Sequence, residues 1–243
     1  SRGLGDVYKR QMYLLTETAS PFALERWAAF FANFGQFAKG FFYTLGISIG
    51  ALIVALLLGL IFGAMSSTHN KVLRGISRVY VEIFQNTPLL VQFVVVFYGI
   101  SILTDGHVMI PISLTAILCV GVYTGAYISE IIRTGIEAVP KGQTEAALSQ
   151  GFTYADTMRI IILPQAVRTI LPPLTNQVVN LIKNTSTVAI ISGADIMFTA
   201  KAWAYDTTNY VPAFAGAAFL YFIMCFPLAT WARRKEEENK KAY

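Results

Sequence analysis

Polar side chains recur at helical spacing in one otherwise apolar stretch of this chain. Asn176, Asn180, Lys183 and Thr187 stand four, three and four residues apart, a single stripe along one helix face. Gln177, Asn184 and Ser186 widen it. A charge inside a bilayer costs at least ~2.5 kcal/mol on insertion scales, so Lys183 must face protein or water. Two readings follow. Lys183 could hydrogen-bond the carboxylate of a passing zwitterion, or it could pair with a structural acid such as Glu82 or Glu130 and hold helices together. A second polar group, Glu82, Gln85, Asn86 and Thr87, precedes Pro88. Proline removes a backbone donor and disturbs a helix, and polar backbone inside a membrane is tolerated only beside protein or a cavity. These residues could line the inner mouth of a path, or form an ordinary capped helix entry. No Gly-x-x-x-x-Gly-Lys-Ser/Thr loop, nucleophile elbow or metal-binding His pair accompanies either group. Catalysis, a metal and a bound cofactor are therefore not expected of this chain.

The elements that must position these residues are long apolar helices. Of 243 residues, 55% are hydrophobic and only 14% charged, with a mean hydropathy of +0.54. A soluble domain carries about 25% charged residues. The apolar residues fall in stretches near the ~20 residues a bilayer needs. About five spans are expected: Phe41–Met65, Val79–Leu103, Val108–Ile132, Ile170–Ala194 and Val211–Trp231. The fold class is all-α, polytopic. Cys119 and Cys225 lie inside apolar stretches as small core residues, not as a disulfide. Gly46 and Gly50, Gly59 and Gly63, and Gly121 and Gly125 have the four-residue spacing that lets helices approach closely.

An odd number of spans puts the termini on opposite sides. Lys71, Arg74 and Arg78 follow the first span, Arg133, Lys141, Arg159 and Arg168 flank the third connection, and Arg233, Arg234 and Lys235 open a basic tail. The opposite loops hold Asp105 and His107, then Lys201 balanced by Asp195 and Asp206. The positive-inside rule places the N-terminus outside and the C-terminus in the cytoplasm. The net charge of +5 is thus explained by orientation, and no nucleic-acid partner is expected. Trp27, Phe30, Phe34, Phe37 and Phe41 recur on one face ahead of the first span, as either an interfacial amphipathic helix or an extension of that span.

Between the third and fourth spans lies a polar segment that is itself ordered. Pro140 suits a first helical turn, residues 145–150 are mostly good helix formers, and Gly151 supplies a left-handed closing residue. Thr153 and Asp156 have the spacing of a cap for the next helix. The segment reads helix, glycine turn, helix, and Ala146 and Ala147 keep its surface thin enough to sink into a groove on another protein.

This segment, with Glu145-Ala146-Ala147, Gly151 and Ile162-Leu163-Pro164, resembles the EAA loop of the membrane subunits of ATP-binding-cassette importers. Asn86-Thr87-Pro88-Leu89-Leu90-Val91-Gln92, Gly125-Ala126-Tyr127 with Glu130, Leu163-Pro164-Gln165-Ala166 and Lys183-Asn184-Thr185-Ser186 resemble the polar amino-acid permeases in particular, from roughly Gly40 to Trp231. The resemblance implies a type I importer fold and a plasma-membrane permease that moves a polar amino acid such as glutamine or glutamate. It also implies a second permease subunit, identical or related, two separate ATPase subunits and an extracytoplasmic binding protein, with membrane lipid around the spans. Gly142, Gln143, Glu145, Ala146, Ala147 and Gly151 would form the coupling helix that docks on the ATPase. Glu82, Gln85, Asn86, Thr87, Asn176, Asn180, Lys183, Asn184 and Thr187 would line the substrate path. Relatives often carry Arg at the Gln85 position and Leu at the Thr187 position, which loosens inference about the cargo. An ion-gradient-driven secondary transporter, with Lys183 and the acids as ion sites, is the alternative.

Domain organisation follows. Residues 1–11 match nothing in the pattern and are expected to be a non-native or disordered extension. Residues 12–40 form an external or interfacial segment, 41–232 the transmembrane permease domain with its coupling segment at 135–165, and 233–243 a cytoplasmic charged tail.

Overall fold

The computed structural model describes residues 20–241; the expected extension at 1–11 lies outside them. Every regular element among the described residues is helical. A short helix α1 (Leu24–Ala32) ends at Asn33, and α2 (Phe34–Ser66) follows at once. Asn33 turns the chain there, its side-chain amide donating back to the Ala29 carbonyl at 2.9 Å. The Phe34–Phe41 part of the expected aromatic stripe therefore belongs to the first long helix, and only its Trp27–Phe30 part to a separate one. Phe30 and Phe37 nevertheless meet, ring centroids 4.8 Å apart, and both pack edge-on against Trp203.

α2 runs parallel to α5 (Ile112–Glu137), Gly50 lying against Ile117 at one end and Gly63 against Ile132 at the other, and this pair forms the scaffold. The glycines make it possible. A Cβ on Gly59 would lie 2.4 Å from Ile128, and one on Gly121 2.7 Å from Val54. Gly46 has open space around it, so that member of the expected pairs serves no close approach. Ala51, Ala55, Val120 and Ile128 are buried in the seam, and Phe93 and Leu181 complete this core from neighbouring helices.

α3 (Lys71–Asn86) begins at Asn70, whose side chain accepts from the Val72 and Leu73 amides. It meets α4 (Leu89–Leu103) at an angle of 100°. The expected straight span Val79–Leu103 is thus two helices joined at a break. The cause is Pro88, and Gln92 makes the break tenable. Its buried amide donates to the carbonyls of Phe84 at 3.2 Å and Thr87 at 2.9 Å, which the interrupted helix leaves without partners. α4 passes through a π-helical turn at Val95–Gly99.

After α5 come α6 (Lys141–Ser149), a single turn Tyr154–Asp156, a π-helical stretch Thr157–Ile162, and α7 (Leu163–Asn184). α7 keeps its course through Pro172 and Pro173. It ends in a 3-10 turn, Thr185–Ile191, closed by Ser192 at φ 62°. The expected span Ile170–Ala194 is therefore not one helix. The chain closes with α8 (Ile196–Thr207) and α9 (Tyr210–Lys241). Asp195 caps α8 through the amides of Met197 and Phe198 and accepts from the Tyr221 hydroxyl at 2.9 Å. It is completely buried, so it is not the solvated loop charge that the charge count assumed.

Among the described residues, three helices are long and apolar enough to cross a membrane: α2, α5 and the first 26 residues of α9. The bent pair α3–α4 makes a fourth if taken as one span. The fourth expected span corresponds to α7, whose 22 residues reach about 33 Å but carry too many polar groups to pass on composition.

Candidate functional site

The coupling segment folds by local backbone chemistry. Pro140 sits one residue ahead of α6, at its N-cap, not inside the first turn. At the other end Gly151 adopts φ +87°. Its amide donates to the Leu148 carbonyl, and the Phe152 amide reaches back to the Ala147 carbonyl, both at 3.1 Å. These two bonds are the Schellman closure that a left-handed glycine permits. Thr153 then caps the next turn, its hydroxyl oxygen accepting from the Asp156 amide at 3.2 Å while the hydroxyl donates to the Asp156 carboxylate at 2.5 Å. Ala147 is buried where α6 rests on the π-helical stretch. Gly142, Gln143, Glu145 and Ala146 face outward and are exposed. Leu148, Phe152 and Tyr154 are exposed beside them. The result is a firm, shallow ridge of mixed character with no apolar cover among the described residues. Tyr154 also touches His69, ring centroids 4.9 Å apart, so the α2–α3 connection lies on the same side as the coupling segment.

The polar stripe of α7 faces out of the bundle. Asn176, Asn180 and Lys183 are exposed, and Asn184 and Thr187 half-buried. Among the described residues Lys183 has no ion pair: of the two acids named as candidates, Glu130 is bound by Arg133, and Glu82 hydrogen-bonds Asn86. Neither Glu82 nor Glu130 forms an ion pair with Lys183 here. Lys183 borders a pocket of about 300 Å³ with Ser186, Met197, Phe214 and Tyr221.

The residues before Pro88 occupy another place. α3 turns Lys71, Arg74, Arg78 and Glu82 toward the end of α5, and between the two helices lies a cleft of about 870 Å³. Gln85 fixes the inner wall by donating to the Ala126 carbonyl at 3.2 Å. Asn86 donates to the Glu82 carboxylate at 3.0 Å. Across the cleft Arg133 bridges Glu130 and Glu137, the second at 2.5 Å. Thr87 is half-buried at the bend. The two groups of expected path residues thus do not share a cavity within one chain. Sequence reasoning missed Gln92 as the clamp of the bend and Asp195 as the buried cap. A polar residue four places after the proline of an Asn-Thr-Pro break was the available signal for the first.

Bent inner helix, glycine-packed scaffold and closed surface helix together define a membrane transport subunit, and comparisons agree. Residues 55–236 match the family model of binding-protein-dependent transport system inner membrane components. The chain belongs to that family. It is 37% identical to the probable glutamine ABC transporter permease protein GlnM of Bacillus subtilis (strain 168), covering 88% of this chain and 97% of that protein. It is 33% identical to the glutamate/aspartate import permease protein GltJ of Escherichia coli (strain K12), covering 78% and 85%. Its fold matches a solved amino acid ABC transporter with histidines at a TM-score of 0.81 and 31% identity, over 87% of this chain and 98% of that one. The MetNI methionine ABC transporter shares the fold at a TM-score of 0.66 with 16% identity, over 84% and 98%. The type I importer fold holds, and the secondary-transporter alternative falls.

Proposed function

We propose that this chain is a translocation subunit of an ATP-driven importer for polar amino acids, of the glutamine or glutamate class. The observation that carries the coupling half of this reading is the rigid, uncovered ridge of α6 with its Gly151 closure. It has the shape and mixed surface of a helix made to seat in a groove. The cargo class rests on the relatives, which are named for glutamine and for glutamate/aspartate.

In this reading α6 docks on a separate ATPase subunit, where ATP is bound and hydrolysed. A second permease, identical or related, faces this one, and the exposed stripe of α7 with Lys183 forms a wall of the path between them. An extracytoplasmic binding protein delivers the amino acid. ATP-driven closure of the ATPase pair moves α6 and switches the spans from inward-open to outward-open. That switch needs contacts that differ between the two states. The N-terminus lies outside and the C-terminus in the cytoplasm, following the basic loops.

The test is reconstitution in liposomes with the ATPase and binding protein, comparing ATP-dependent uptake of glutamine, glutamate, arginine, histidine and cystine. Saturable uptake of one of them supports the reading. Uptake that persists without ATP but follows an ion gradient overturns it.

A further inference from the structure

The cleft between α3 and the end of α5 carries charge in an unusual arrangement. Lys71, Arg74 and Arg78 stand three and four residues apart on one face of α3 and line the cleft. None of the three has an ion pair among the described residues. On the opposite wall Glu130, Arg133 and Glu137 carry one net negative charge, and Glu82 adds another on the α3 side. Arg78 is near enough to act electrostatically on Glu130, yet no bond closes between them. Opposite charges therefore face each other across about 870 Å³ of open space. Its size lies within the roughly 300–1,000 Å³ typical of small-molecule sites. Gln85 and the Tyr80 hydroxyl, which donates to the Val122 carbonyl at 2.7 Å, hold α3 to α5 and keep the walls apart.

A ligand that completes this arrangement must carry both signs a short distance apart. We infer that the cleft is a second binding site for a free α-amino acid zwitterion, its carboxylate taken by Arg74 and Arg78 and its ammonium by Glu82 and Glu130. Guanidinium groups suit a carboxylate because their fork matches its two oxygens. The cleft lies beside the α2–α3 connection, on the same side as the coupling segment. If the proposed function holds, that side is the cytoplasm, and the occupant is amino acid already delivered. Occupancy would then tie α3 to α5 and slow further turnover as product accumulates.

Binding is measured on the full chain in lipid nanodiscs by titration with L-glutamine, with butyrate and butylamine as single-charge probes. Glutamine should bind at least about tenfold more tightly than either, the scale of one hydrogen bond to a charged group. An R74Q/R78Q double variant should weaken glutamine binding about tenfold or more. Glu82→Gln, at an exposed position that cannot compromise the fold through lost packing, should weaken it as well. Unchanged binding in both variants overturns the proposal. So does displacement of glutamine by inorganic phosphate at equal concentration, which would leave only a basic anion patch. In the assembled transporter, glutamine trapped on the ATPase side should slow uptake, and the R74Q/R78Q variant should lift that inhibition. An assembly that takes up no amino acid at all defeats the importer reading, while the titration still decides the cleft.

Discussion

The coupling segment and the α7 stripe are both polar, both exposed and both flanked by apolar helices, yet they owe their form to different physics. In the coupling segment the bonds that close and cap the helices all lie within about six residues. Gly151 closes α6, Thr153 opens the next turn, and Ala147 seats the ridge. In α7 the polar groups answer nothing nearby: Asn176, Asn180 and Lys183 project from the bundle, and Asn180 reaches only Gln177, at 3.4 Å. One region is finished by the chain itself. The other waits for a second molecule, and a membrane makes that wait costly unless a partner or water covers it.

The sharpest way to break this comparison is at Lys183. Lys183→Met keeps the length of the side chain and removes its charge. Uptake in the reconstituted transporter should fall by about 10- to 150-fold, the equivalent of ~1.5–3 kcal/mol for a hydrogen bond to a charged group. Thermal unfolding of the variant should match the parent, since no ion pair among the described residues is lost. Undiminished uptake would remove Lys183 from the path.

Gly151→Val probes the self-finished region. A β-branched residue at φ +87° is strained by roughly 1–2 kcal/mol. Association with the ATPase subunit, followed by pull-down, should weaken while membrane insertion stays normal. Full-strength association together with normal ATP-dependent uptake would show that the ridge is not the coupling element. Thr153→Ala should act in the same direction with a smaller effect, about 1 kcal/mol for a lost cap, read in the same pull-down. If it exceeds Gly151→Val, the cap and not the glycine closure sets the ridge.

The gentlest change tests sidedness. Glu145→Cys changes an exposed position, in a background with the buried Cys119 and half-buried Cys225 replaced by Ala. It should react with an impermeant thiol reagent from the cytoplasmic face alone, and Asp206→Cys from the outer face alone. Reversed labelling would invert the orientation.

This contrast also explains what was legible in the amino-acid sequence. Helix, glycine turn and cap could be written down in advance because each signal and its partner lie within a few residues. The break at Pro88 was legible for the same reason. Its 100° angle was not, since it depends on Gln92 finding the carbonyls of Phe84 and Thr87 and on Tyr80 finding the Val122 carbonyl on a different helix. Asp195 looked like a loop charge because neither its own capping geometry nor Tyr221, 26 positions away, is visible in composition. The residues expected to line a path could be picked out by type, but which of them share a cavity depends on packing. The cleft had to be seen in three dimensions before Arg74 and Arg78 became more than markers of orientation.

The bend at Thr87–Pro88 divides the two inner elements into a rod and an elbow. α5 runs unbroken for 26 residues, about 39 Å, and hands over to α6 after three residues, Ala138 to Pro140. If α6 is pushed as proposed, α5 can carry the displacement along its whole length, as a connecting rod does. α3 offers no such straight line, because the chain turns by 100° before α4. On the proposed coupling, motion entering at the ridge would reach the glycine-packed scaffold before it reached α4.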